Sequence, residues 1–147
     1  MTQIDELPDF EEIAEVMACL PDLDAKFQYL IDLSKRLPEF NDVDRIDDYR
    51  VWGCQSSVWL VPTLDKSATP PVLRFCGTSD SVLVSGIIAI VLSLHSGRTP
   101  EEILRLDAPE ELNRLDLKSH LSHGRQNGLA GMLEQIRKHA ADLVVGT

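Results

Sequence analysis

The chain has 147 residues, of which 44% are hydrophobic and 26% charged, with a formal net charge of −10. That length and mixture predict one soluble globular domain over residues 1–147, long enough to bury a core. The negative balance excludes nucleic acid as the main partner, because a phosphate backbone demands a basic face.

The N-terminal stretch "MTQIDELPDFEE" is acidic and lacks the basic and apolar parts of an export signal. The longest apolar run, Val82 to Leu94, is too short to span a bilayer and is interrupted by Ser85 and Gly86. The expectation is a cytoplasmic protein with no membrane partner. Three cysteines, Cys19, Cys54 and Cys76, make an odd number without short-range pairing, which suits free thiols in a reducing compartment.

Along the chain, Phe10, Ile13, Val16, Met17 and Leu20 recur at helical spacing until Pro21 interrupts them. A second helix is predicted from about Asp24, as cap, to Arg36, with Phe27, Leu30, Ile31 and Leu37 as its stripe and Pro38 as its stop. The acidic segment "EFNDVDRIDDYR" reads as a loop leading to a short strand around Tyr49 to Trp52. The β-rich runs "SSVWLVPTL" and "VLRFCGT" flank the turn-rich "DKSATPP" and predict an antiparallel hairpin. With the Tyr49 segment this makes a sheet of about three strands.

The run "SDSVLVSGIIAIVLSLHSG" is apolar on nearly every side. Its length predicts a buried helix between a Ser79/Asp80 cap and a Gly97 stop. In "TPEE", Thr99 is a cap, Pro100 the first helical residue and Glu102 the return partner of a capping box. "APEELNRL" predicts a short helix. A last helix runs from about Gly124 to Leu143 with Leu129, Met132, Leu133, Ile136 and Ala140 inward. Helices, then strands, then helices indicate an α+β fold, its small antiparallel sheet packed against helices from both ends of the chain.

Cys54 is the first candidate for chemistry. Gly53 opens backbone conformations closed to other residues, and Gln55, Ser56 and Ser57 are small or polar, so the thiol is expected in a turn. The thiolate is the nucleophile, and an exposed turn with amide donors or a cation favours ionisation. The plainer account is a small residue at a strand end. Cys19, among apolar helix neighbours, and Cys76, after Phe75, read as buried and inert. Of the two tryptophans, Trp59 is expected to anchor its strand in the core and Trp52 to pack the strand before it.

Arg125, where the last helix begins, is the second candidate. A cation sits poorly at the positive end of a helix, so an anion partner is one reason for its place; a surface ion pair is the other. His120 and His123 form an HxxH spacing, short of the three or four ligands a zinc site needs, so no metal site is predicted. Cys54 with either histidine would make a cysteine-hydrolase pair without an orienting third residue. Gly124, Gly128 and Gly131 open a helical pattern and do not follow a strand, so they are no phosphate loop.

Four blocks carry a resemblance. "GCQSSVWLV" (Gly53 to Val61), "KFQYLIDLSKRLPEF" (Lys26 to Phe40), "GTSDSVLVSGIIAIVLSLHSGRTPEEI" (Gly77 to Ile103) and "LSHGRQNGLAGML" (Leu121 to Leu133) resemble, in order and in register, the SufE/CsdE family of sulfur-acceptor proteins. The resemblance covers about residues 10 to 140. It implies an α+β fold similar to the IscU scaffold proteins. It also implies a sulfur carrier and activator rather than an enzyme. Its partner is a PLP-dependent cysteine desulfurase of SufS or CsdA type, and its sulfur passes toward iron–sulfur cluster assembly on a SufBCD-type scaffold. The acceptor cysteine of the family corresponds to Cys54, the arginine of its last helix to Arg125, and the aspartate of its Gly-x-Ser-Asp motif to Asp80. No cofactor is expected on this chain, since PLP belongs to the partner. The alternative is an iron–sulfur scaffold of the related fold, for which one loop cysteine is a poor ligand set.

Overall fold

A computed structural model describes residues 7–117, 119 and 121–145. The elements in chain order are α1 (Phe10–Cys19), α2 (Leu23–Ser34), β1 (Val58–Asp65), β2 (Val72–Ser79), α3 (Val82–His95), α4 (Pro100–Arg105), α5 (Ala108–Asn113) and α6 (His123–Val145). The helices precede and follow the strands, so the α+β order expected from the sequence is the observed one.

Local chemistry explains most boundaries. Asp9 caps α1 by accepting from the Glu12 amide at 2.9 Å. Asp22 caps α2 by accepting from the Ala25 amide at 2.8 Å. The cap is therefore Asp22, not Asp24. Asp22 is extended (φ −152°, ψ 176°), as a cap requires, and Asp24 sits in the first turn, where its charge faces the positive end of the helix. Thr99 and Glu102 form the expected capping box of α4, at 3.1 and 2.8 Å. Gly97 takes φ +90° just after α3, as its stop signal requires. The cap of α3 is Ser81, which leaves Asp80 for another role.

β1 and β2 pair antiparallel in one register, from Val58↔Ser79 to Asp65↔Val72. The expected third strand is reduced to one bridge, Arg50↔Trp59, beside a Val51 amide bond to the Val58 carbonyl at 2.9 Å. Its extension is blocked on both sides. Asp47–Tyr49 coil into a 3₁₀ turn, and Gly53 turns the chain at φ +92°.

The core gathers around α3. Ile88, Ala89 and Val91 are fully buried, and the helix packs against α1, α2, β2 and α6. Around it lie Ile13, Met17, Leu30, Leu33, Leu60, Leu73 and Ile136. A helix that is apolar on all sides needs partners on all sides, and this one has them. No helix among the described residues is long and apolar enough to cross a membrane.

Period-two alternation decides the tryptophans. Val51 and Val58 take the inward positions at 2% and 0% exposure, so Trp52 and Trp59 fall on the outer face. Trp59 is half-buried and lies under the guanidinium groups of Arg45 and Arg50, at 5.1 and 5.7 Å from its ring centre. Trp52 is 62% exposed. Trp59 is therefore not the core anchor expected, and Trp52 stands out from the strand it was expected to pack. Cys19 is exposed at the end of α1, because the buried stripe of that helix is Phe10, Ile13 and Met17. Cys76 is half-buried, on the face of β2 opposite Phe75 and Gly77.

Candidate functional site

Cys54 lies at the tip of the loop 52–57, whose neck is the Val51–Val58 pair. Burial of those two valines fixes the neck at about 2 kcal/mol each. Gly53, at φ +92° with nothing within 4 Å of its open side, lets the chain reverse sharply. The tip then folds back onto α6. There it meets a row of glycines at helical spacing. A Cβ added at Gly128 would stand 3.0 Å from the Cys54 sulfur, one at Gly131 3.2 Å from the Trp52 carbonyl, and one at Gly124 would overlap the Gln55 side chain. The loop sits where α6 has no side chains. These glycines were visible as a spacing, but only the folded loop shows what they are for.

The result is a half-buried thiol over a small cavity of about 10 Å³, lined by Gln55, Ser56, Val84, Ile87, Arg125 and Met132 among others. Such a space admits about one water-sized group. Burial pushes the Cys54 thiol above its ordinary range, and the positive charge of Arg50 pulls it partway back. In the free protein the sulfur is therefore protonated near neutral pH. This departs from the exposed, readily ionised turn expected from composition, because the glycine face of α6 draws the loop inward.

Arg125 and Asp80 both reach this region, in different ways. Ser122 caps α6 by accepting from the Arg125 amide at 3.2 Å, which places Arg125 in the first turn, and Arg125 lines the Cys54 cavity. Among the described residues its guanidinium has no hydrogen bond or ion pair. Asp80 does not line the cavity. Its carboxylate accepts from the Ser57 amide at 3.2 Å, and its own amide donates to the Ser57 carbonyl at 3.4 Å. Asp80 thus ties the end of the loop to the turn between β2 and α3.

Arg50 was not singled out by the sequence. Its Nη2 donates to the Ser57 hydroxyl at 3.2 Å, and its guanidinium stacks on Trp52 at 4.8 Å. Its importance depends on the hairpin register, which no local signal announces. His123 is exposed at the first position of α6 and does not line the cavity, and His120 lies outside the described residues. Among the described residues no three His, Cys, Asp or Glu side chains converge to hold a metal ion.

An α+β frame that seats one loop thiol on the glycine face of its last helix defines a class of small thiol-bearing proteins. The comparisons narrow it. The sequence model of the SufE family, described as an Fe-S metabolism associated domain, matches residues 11–140. An uncharacterised SufE-like protein of Rhizobium meliloti (strain 1021) is 38% identical over 134 residues, covering 91% of this chain and 96% of that protein. Another from Rhizobium etli is 37% identical, covering 91% and 90%. The chain belongs to the SufE family. The fold is similar to the solution structure of a hypothetical protein from Thermus thermophilus, with a TM-score of 0.72 at 17% identity, covering 95% of this chain and 98% of that one.

Proposed function

We propose that this protein accepts sulfur on Cys54 from a PLP-dependent cysteine desulfurase of SufS or CsdA type. It stimulates that enzyme and relays the sulfur toward iron–sulfur cluster assembly, to a SufBCD-type scaffold or another acceptor. It is a carrier rather than an enzyme. It works in the cytoplasm as one domain and needs no cofactor of its own. The observation that carries this is the seat of Cys54: one half-buried thiol in a loop that reverses at Gly53, over a small cavity that admits about one water-sized group.

The reaction needs only this thiol and the donor. The Cys54 thiolate attacks the outer sulfur of the donor persulfide. A sulfur–sulfur bond forms at Cys54 as the donor's sulfur–sulfur bond breaks, and the donor departs as a thiolate. The proton released by Cys54 is balanced by the one the donor thiolate takes up, and there is no net oxidation. A burial-raised thiol is poorly ionised at rest. Attack therefore follows release of the loop, when the desulfurase docks beside it.

The links holding the tip are weak enough to be exchanged for partner contacts. The part-buried Arg50–Ser57 bond and the exposed Ser57–Asp80 bond stabilise by about 1 kcal/mol each, and the Arg50–Trp52 stack by a similar amount. Trp52, exposed on the rim, is the aromatic a partner would bury first. Cys54→Ser removes the acceptor with little change of shape. Stimulation of a cognate desulfurase should disappear while binding to it persists; full stimulation by this variant would rule the proposal out.

A further inference from the structure

We propose that the groove beside Trp52, between the Asp47–Tyr49 turn and α6, is where the desulfurase docks, through a segment that carries lysine or arginine side chains. This rests on Cys54 being the sulfur acceptor and concerns the surface that brings the donor to it.

The groove encloses about 460 Å³. Its two walls are tied together, because the Gln135 side chain of α6 donates to the Tyr49 carbonyl at 3.4 Å. Gly131 lies at its edge, where an added Cβ would stand 3.2 Å from the Trp52 carbonyl. Trp52 lines it too and is 62% exposed, the one aromatic among the large hydrophobic side chains exposed in the described residues. A ring left in water at a groove edge is a strong anchor once a partner covers it.

Position indicates the partner. Trp52 stands two residues before Cys54, and both rest on the glycine face of α6, at Gly131 and Gly128. A donor persulfide must come into bonding contact with Cys54, so the protein that carries it covers this neighbourhood. The groove continues the surface of the Cys54 loop along α6.

Charge indicates the kind of segment. Asp47, Asp48, Glu134 and Asp142 line the groove and are exposed. Among the described residues none of these four carboxylates has a hydrogen bond or an ion pair. Two cations share the groove with them. Arg50 is held by the Ser57 hydroxyl and by both tryptophan rings, and Lys138 is exposed on α6. Carboxylates therefore outnumber cations two to one. A second copy of this chain, with a net charge of −10, would meet repulsion there, as would a nucleic acid. A basic segment satisfies both parts of the groove: its charged ends meet the carboxylates, and its aliphatic stems or a stacked cation cover the Trp52 ring.

The test is the affinity of the full chain for a cognate, persulfide-free desulfurase, measured by titration calorimetry at low and at high salt. Asp142→Lys should weaken binding by about three- to tenfold at low salt, and the loss should shrink at high salt, where exposed charges are screened. Asp48→Lys, on the opposite wall, should do the same. Glu15→Lys makes the same change of charge on α1, outside the groove, and should bind as the wild type does. Trp52→Ala should weaken binding by about thirtyfold at either salt concentration, the loss expected of an aromatic anchor. Circular dichroism checks that each variant is folded; the charge reversals are at exposed positions. Wild-type affinity in both groove reversals, an equal loss in Glu15→Lys, or full affinity in Trp52→Ala overturns the inference. Sulfur uptake is scored separately by intact mass. Uptake on Cys54 by a chain whose binding ignores these substitutions overturns the groove alone, whereas a wild-type chain that neither binds nor takes up sulfur overturns the function with it.

Discussion

At the scale of single residues, the site is governed by a contest between burial and charge on one sulfur. Burial raises the Cys54 thiol and Arg50 opposes it, with burial ahead. In the free protein, alkylation of Cys54 should therefore be slower than that of a small model thiol near neutral pH. A saturating amount of desulfurase carrying no persulfide should change that rate by releasing or covering the loop. A Cys54 that reacts like a free thiol, indifferent to the partner, would mean that the sulfur is not held as described. The loop placement of Cys54 was legible in the sequence, because a glycine break beside small polar residues is a local signal; its part as acceptor came only from the resemblance. Arg125 was legible as a cation at the wrong end of a helix, and it does reach the cavity. Arg50 was not, since nothing within a few residues of it reveals that Ser57 and two tryptophans share its face. Cys19 is exposed where the sequence suggested burial, because its apolar neighbours lie on a different side of α1.

At the scale of elements, α6 is the seat on which the loop rests. Gly124, Gly128 and Gly131 clear one face of that helix, and each meets a part of the segment Val51 to Gln55. A glycine within a helix costs about 1 kcal/mol relative to alanine, so a row of them needs a compensating contact, and the loop is that contact. Gly128→Val should push the Cys54 sulfur off the helix and speed its alkylation by roughly three- to tenfold as burial is lost. Circular dichroism would show α6 intact. An unchanged rate in a folded variant would mean that the glycine face does not hold the loop. Helix positions, the capping box of α4 and the stop at Gly97 were all readable, because caps and stops are local chemistry. The third strand was not, because its β-forming residues lie between a 3₁₀ turn and a positive-φ glycine.

At the scale of the whole molecule, α3 organises the core, and the end of α3 sets an acid limit on stability. His95 is 1% exposed, and its Nδ1 lies 2.7 Å from the Val91 carbonyl. A carbonyl only accepts, so Nδ1 carries the proton and the neutral ring is the stable form. Burial pulls this histidine down to about 4. Its unfolded value is about 6.5, so the unfolded chain binds the extra proton first as the pH falls. Stability contributed by neutral His95 is complete above about pH 6.5 and declines toward pH 4, by up to about 3 kcal/mol. Urea melts across this range should show that loss, and His95→Asn, which keeps a donor for Val91 but cannot titrate, should flatten it. Equal slopes in the two proteins would contradict the assignment.

The Cys54 loop hangs from the same core. Its neck is bound into the core by Val51 and Val58, and its tip is held by a few surface contacts. The most direct measurement of the central claim is the intact mass of the protein after incubation with a cognate desulfurase, PLP and cysteine, followed by peptide mapping. Sulfur transfer to this chain predicts a gain of one sulfur atom on Cys54, absent in Cys54→Ser. No gain, or a gain on Cys19 or Cys76 with Cys54 unmodified, would contradict it.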